Sequence, residues 1–250
     1  MLLAGGDDPL NAFVVLPQET DSTLSRANKF QPYSFANLSV DLFGLGGAAG
    51  GSTITAGSDG HGSEGCVAWP RVQLSKRPRS LWKIGFVSGK AVSIGLDPVE
   101  KMISSDSNFV ISELARLASA VTVNGDQSFR GLPFTVKKAY RLIVGDTSVI
   151  IGSVVRKINE EANPREEQLL LVAERAGMGG SYVLAFQSRS AGSEDAVRTN
   201  GVLSAIRFIE NNKLAIVISF EYDDGGQVAL LERVASHEWM ITWRSAYTGC

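Results

Sequence analysis

The chain has 250 residues, 44% of them hydrophobic, and its 24 basic and 26 acidic side chains leave a formal net charge of −2. That length suits one large β domain or two small ones and can bury a sizeable core. The balanced charge gives no nucleic-acid footprint, since the densest basic cluster is Lys76, Arg77, Arg79 and Lys83, which reads as a solvated turn; nor does any apolar run approach the roughly 18 residues of a spanning helix.

Residues 1–43 mix turn formers with short apolar patches at 13–16 and 35–43 and show no sustained period. They read as an extended arm anchored through Phe13, Phe35 and Phe43, docked on this chain's own domain or on a neighbouring molecule, because so much Phe, Leu and Val is costly to leave in water. The opening MLLAGGDDPLNAF lacks a basic region and a long apolar stretch, so it is not an intact secretory signal. Residues 44–65, GLGGAAGGSTITAGSDGHGSEG, contain little that is large and apolar and read as a flexible linker. A phosphate-cradling glycine loop would need a strand before it, a helix after it and a terminal Gly-Lys-Ser/Thr, and none is predicted here. His61 stands near Asp59 and Glu64, but one imidazole with no cysteine at ligand spacing is not a metal set.

From Cys66 onward the composition becomes that of a single β-rich domain over 66–250. Cys66 and Cys250 bracket that domain. Bridged, they would staple the last strand to the first and imply an oxidising compartment, extracellular, periplasmic or cell-envelope; unbridged, they are two unrelated thiols. A short strand at 72–74 precedes the basic turn, and 81–87 with 91–96 read as a hairpin around Ser88, Gly89 and Lys90. Asp97, Pro98 and Glu100 carry a helix-start pattern, and two helical pieces are expected, the second and more regular one completing a helix near 98–122. Val110, Leu114, Leu117 and Val121 give it one apolar face, with Ser112, Glu113, Arg116 and Ser119 around the rest. Arg116 alone is too little basic charge for a membrane-surface helix.

Residues 131–175 then supply three strands in succession. Phe134, Val136, Tyr140, Leu142 and Val144 alternate with polar neighbours, Gly145-Asp146 is a turn, 149–158 returns, and the charged connection 159–168 leads to 169–174. Further strands are expected at 182–188, 202–209, 214–222 and 227–234, with a long polar loop at 189–200 and a hairpin at Asp223-Asp224-Gly225-Gly226. The last strand carries Trp239, Ile241 and Trp243. A meander of about eight strands leaves edges that invite aggregation unless it curls or closes. The expected fold is therefore mainly β with one packed amphipathic helix, as a curved antiparallel meander or up-and-down barrel, or alternatively a two-sheet sandwich. In outline this is similar to the lipid-carrying half-barrels of bacterial envelopes and to lipocalin-like barrels, by architecture alone and without their diagnostic motifs.

No catalytic chemistry is expected. His61 and His237 are the only histidines, His237 lies in a turn, and no Gly-x-Ser-x-Gly or His-Glu-x-x-His pattern occurs. The doublets Glu160-Glu161, Glu166-Glu167 and Asp223-Asp224 all fall in predicted loops, as solvated turns do. No metal or other cofactor is implied. Trp239, Trp243 and Tyr247, four residues apart on one strand face, are core residues or the lining of a ligand cavity. Arg156, Lys157 and Arg165, interleaved with acids, are candidates for binding a partner protein, against the alternative of a loop with internal ion pairs. The functional expectation is a non-catalytic structural or interaction protein of an envelope or extracellular assembly, with other protein subunits as partners docked through the arm. The alternative is a barrel-type module holding a small apolar ligand such as a lipid inside.

Overall fold

A computed structural model describes residues 2–18, 35–58, 68–121, 127–177 and 179–249. The first six strands are β1 (Leu2–Gly5), β2 (Asn11–Val15), β3 (Ser39–Gly44), β4 (Gly47–Ser58), β5 (Arg71–Leu74) and β6 (Ile84–Val87). They close into an antiparallel barrel in the order β1-β2-β5-β4-β3-β6. Alternation sends Leu3, Val14, Val40, Leu42, Ile54, Val72 and Leu74 inward, where they bury with Trp82 and Phe35. The interior is filled tightly enough to require glycine on β6. A Cβ on Gly85 would lie 2.9 Å from Leu42 Cδ2 and 3.4 Å from Leu3 Cβ.

Among the described residues, barrel strands stand where an arm and a flexible linker were expected; residues 19–34 of the arm and 59–65 of the linker lie outside them. Residues 2–5, 11–15 and 39–44 are paired strands, and the Gly/Ser-rich stretch from Gly47 to Ser58 is the longest strand of the barrel. Glycine weakens an isolated strand, but here β3 and β5 supply ladder partners on both sides, while Ala49 and Ile54 anchor β4 in the core. Irregularities at Leu42/Phe43 and Ile54/Ala56 bend the sheet towards closure.

The turn at Ser88-Gly89-Lys90 forms as expected, with Gly89 at φ 78° and Lys90 N donating to Val87 O at 3.2 Å. Its two strands do not pair with each other. β6 pairs with β1 and β3, whereas β7 (Ala91–Ile94) leaves the barrel and pairs with β13 (Thr199–Phe208). Two helical pieces form as expected, but the first is only a single 3-10 turn. Asp97 and Pro98 form the short β8, Val99–Lys101 make a 3-10 turn, and α1 runs from Ser104 to Ala120 with Ile103 at its N-cap and no capping side chain.

All eight strands expected after the helix are present: β9 (Thr135–Val144), β10 (Thr147–Ile158), β11 (Arg165–Ala176), β12 (Val183–Ser193), β13, β14 (Leu214–Tyr222), β15 (Gly225–Ala235) and β16 (Glu238–Arg244), with a short β17 (Thr248–Gly249) pairing β15. They do not continue as one meander. Pairing stops between β12 and β13, leaving a five-stranded sheet β12-β11-β10-β9-β8 and a six-stranded sheet, β16-β15-β14-β13-β7 with β17 beside β15. The fold is thus mainly β and antiparallel with one helix, its closed barrel lying before the helix and a two-sheet sandwich after it.

The layers stack as helix, five-stranded sheet, six-stranded sheet and barrel. Val110, Leu114 and Leu117 of α1 pack on Ile150, Leu169 and Leu171. Tyr140, Ile151, Leu170 and Val172 face Ile216, Ile218, Phe220 and Leu231 across the sandwich. On the far side of the six-stranded sheet, Ile206, Ala215 and Val217 meet Leu2, Val15, Phe43, Ile84 and Phe86 on the outside of the barrel. Both sheets of the sandwich are therefore covered on both faces, which explains why β11 and β14 read as nearly continuous apolar runs.

Candidate functional site

Where the barrel and the six-stranded sheet diverge, the core between them opens into a groove of about 790 Å³. Its walls are apolar: Leu2, Val14 and Val15 from β1 and β2, Phe86 from β6, and Phe208, Leu230 and Trp243 from the sheet. Phe86 meets Phe208 edge-on at 6.0 Å between ring centroids, so the aromatic wall continues across the junction. One side is tied shut by main-chain bonds from Gln18 N to Arg244 O at 2.9 Å and from Ala246 N to Leu16 O at 2.8 Å. Charged and polar groups also line it, from Lys90, Glu210, Asn211, Glu232 and Thr242. Of these, Glu232 already accepts from Thr242 Oγ1 at 2.7 Å and pairs with Lys213 at 3.4 Å.

Trp243 reaches this groove because of a β-bulge. Leu230 pairs with Trp243 and Leu231 with Ile241, so Thr242 is the extra residue and the face of β16 reverses there. Trp239 stays on the sandwich side, fully in the core. Tyr247 lies elsewhere again, donating to Asp224 Oδ1 and meeting the Tyr222 ring at 5.9 Å. That hydrogen bond to Asp224 is the main cause pushing the Tyr247 hydroxyl up to about 12. The expected aromatic triplet is therefore split three ways, and only Trp243 belongs to the groove. The strands expected to enclose a ligand as a barrel form the two sheets of the sandwich instead, and the interior of the six-stranded barrel is occupied by side chains.

The other candidate residues are engaged within the chain. Phe35 is in the barrel core, Phe43 is buried between barrel and sheet, and Phe13 is half-buried on the same outer barrel face. The charged connection shortens to 159–164, because β11 already begins at Arg165 and places Glu166 and Glu167 in the ladder. Arg156 and Glu167 are directly cross-strand, with Nε to Oε2 at 2.5 Å, and Arg189 reaches the other oxygen at 2.6 Å. The Arg156 guanidinium also covers the Phe134 ring at 4.5 Å. Lys157 pairs with Glu166 and with Glu194, the latter at 2.6 Å; these bonds, Glu166 first, raise the Lys157 amine above its usual range. Arg165 donates to Ser128 Oγ at 2.9 Å and lies over Phe129. Arg156 and Lys157 are thus ion-paired within the chain.

The sequence reading overlooked Glu174. It is wholly buried on the sandwich face of β11 and accepts from four donors: Arg233 Nε at 2.6 Å and Nη2 at 2.8 Å, Trp239 Nε1 at 2.6 Å and the His237 main-chain N at 3.0 Å. Burial by itself would raise its pKa, but Arg233, then the His237 amide and the Trp239 indole, outweigh burial and hold it below the ordinary carboxylate value. The available signal was its parity with Leu170 and Val172 in the apolar run. His237 sits in the expected turn at φ 59°, its imidazole beside a carboxylate already saturated with donors. Cys66, Cys250 and His61, and with them the predicted bridge and its oxidising compartment, lie outside the described residues. Among the described residues, no helix is long and apolar enough to cross a membrane.

No protein-family model matches this chain, and no curated protein or solved structure is similar enough to it to indicate a relationship.

Proposed function

We propose that this protein is a non-catalytic binding module whose ligand is a single-chain lipid with a neutral or zwitterionic head, seated in the groove between the barrel and the six-stranded sheet. The observation that carries this reading is an apolar groove of about 790 Å³ walled by Leu2, Val15, Phe86, Phe208, Leu230 and Trp243. That volume falls within the roughly 300–1,000 Å³ usual for small-molecule sites. Most of the lining is apolar, which suits an alkyl chain. The lining also brings Lys90 together with Glu210 and Glu232, both signs at once, which suits a head of no net charge.

The test is a calorimetric titration with lysophosphatidylcholine and with a monoacylglycerol, each below its micelle concentration, with the parent fatty acid alongside. Saturable one-site binding of the first two, weaker binding of the ionised fatty acid, and loss of binding in Leu230→Arg with circular dichroism unchanged is the expected result. Absence of saturable heat from all three ligands, or undiminished binding by Leu230→Arg, refutes it.

A further inference from the structure

The Glu174 clamp closes one end of the sandwich with a carboxylate and matching donors. At the other end the balance is reversed. Arg198, just before β13, holds its guanidinium carbon 4.3 Å from the centre of the Phe220 ring, and Arg244, the last residue of β16, holds its own 4.8 Å from the same ring. Phe220 is fully buried. Arg198 spends Nη2 on Ser188 Oγ at 2.6 Å, while its Nε is buried without a partner. Asn200 is directly paired in register with Phe220, so it shares that face; it is 8% exposed, and both atoms of its amide are buried without a partner.

No carboxylate among the described residues lies within ion-pair distance of either arginine. The acids nearby are committed or turned away: Glu166, on the inner face of β11, is taken by Lys157 and Gln168, and Glu221 falls on the opposite face of β14, where it accepts from Ser219. Two cations of like sign, partly desolvated over one ring, together with an unsatisfied buried amide, form an arrangement that costs stability unless something neutralises it. Consistent with that cost, burial first and Arg198 second pull the Arg244 guanidinium below its ordinary pKa. Guanidinium forks match the planar, bidentate acceptor geometry of oxyanions, and a neighbouring amide adds a neutral donor.

We propose that Arg198, Asn200 and Arg244 form a binding site for an oxyanion, the phosphate or carboxylate group of a small ligand, at this end of the sandwich. The site is independent of the lipid groove, because the bulge at Thr242 puts Trp243 on the other face of the sheet.

The experiment titrates the full-length protein with inorganic phosphate and, separately, with acetate, at constant ionic strength held by chloride, reading thermal stability and, for phosphate, phosphorus NMR line width. Saturable stabilisation by one of the two identifies the preferred group. Arg244→Gln weakens it by about tenfold or more, as expected for loss of a charge-assisted hydrogen bond. Arg244→Lys, which keeps the charge and loses the fork, falls between. Asn200→Leu removes the unpaired amide and so raises the melting temperature in anion-free buffer while weakening the anion, a pair of effects that a purely structural asparagine would not give. Leu230→Arg, which blocks the groove, leaves anion binding unchanged. Absence of saturable stabilisation by either anion in the wild-type protein, or full retention of it in Arg244→Gln, overturns the proposal.

Discussion

The barrel and the sandwich are built from the same kind of strand and held in opposite ways. In the barrel, three of the six pairings join strands distant in sequence: β2 lies beside β5, and β6 lies between β1 and β3. Its interior is apolar, with Gly85 admitting a close approach of β3 and β1 side chains. In the sandwich, hairpin follows hairpin, and carboxylates with no solvent exposure, Glu167 and Glu174, sit inside with their arginines. Long-range closure leaves the barrel dependent on having all six strands, whereas locally paired strands depend on cross-links between layers to decide how the sheets face. Each dependence can be broken separately.

The largest effect is expected from deleting residues 1–65. This removes β1 to β4 and strands β5 and β6, exposing Phe86, Ile206 and Val217. The loss is expected to match or exceed the whole stability of about 5–15 kcal/mol typical of a domain, read as loss of a cooperative thermal transition and gain of hydrophobic-dye binding. A soluble, cooperatively folding product would show that the barrel is dispensable and end the comparison.

Next comes the interlayer clamp. Glu174→Ala leaves Arg233 and the Trp239 indole without their acceptor and is expected to cost about 3–5 kcal/mol in urea unfolding. Because the folded-state pKa of Glu174 lies below 4.5, its contribution is complete above that value and is lost as pH falls through the lowered one. Wild-type stability should therefore fall as pH drops below about 4.5, and the stability of Glu174→Gln should vary less over that window. Equal slopes for the two proteins would show that the clamp does not depend on charge.

The smallest effect concerns the helix. A Cβ on Gly152 would stand 2.5 Å from Leu114 Cδ1, and Leu114 is fully buried. Gly152→Ala is expected to cost about 1–3 kcal/mol by overpacking, with part of that cost recovered when Leu114→Ala is added. Strict additivity in the double-mutant cycle would place the helix farther from the sheet than the structure does.

Local features were legible because they depend on neighbours in sequence. β14 has the bounds that its alternation suggests, the turn at Gly145 takes a positive φ, and Val110, Leu114 and Leu117 face the sheet as their spacing implies. The candidate site was legible only in part. Trp243 stood out as an aromatic residue on a terminal strand, but Val15, Phe86, Phe208 and Leu230 looked like any other strand residues.

By itself, then, the amino-acid sequence determined which stretches after the helix are extended, where most of them turn, and which side of the helix is apolar, since periodicity and turn chemistry act over a few residues. Tertiary structure alone decided what covers each strand face. A period of two distinguishes two faces without saying whether each meets solvent, a helix or another sheet, and a single extra residue at Thr242 reverses the assignment for Trp243. It also decided that a glycine-rich stretch becomes β4, because ladder partners on both sides outweigh weak intrinsic propensity. And it decided that Glu166, Glu167 and Glu174 are held inside, because a buried carboxylate is tolerated only where folding brings donors from other strands to meet it.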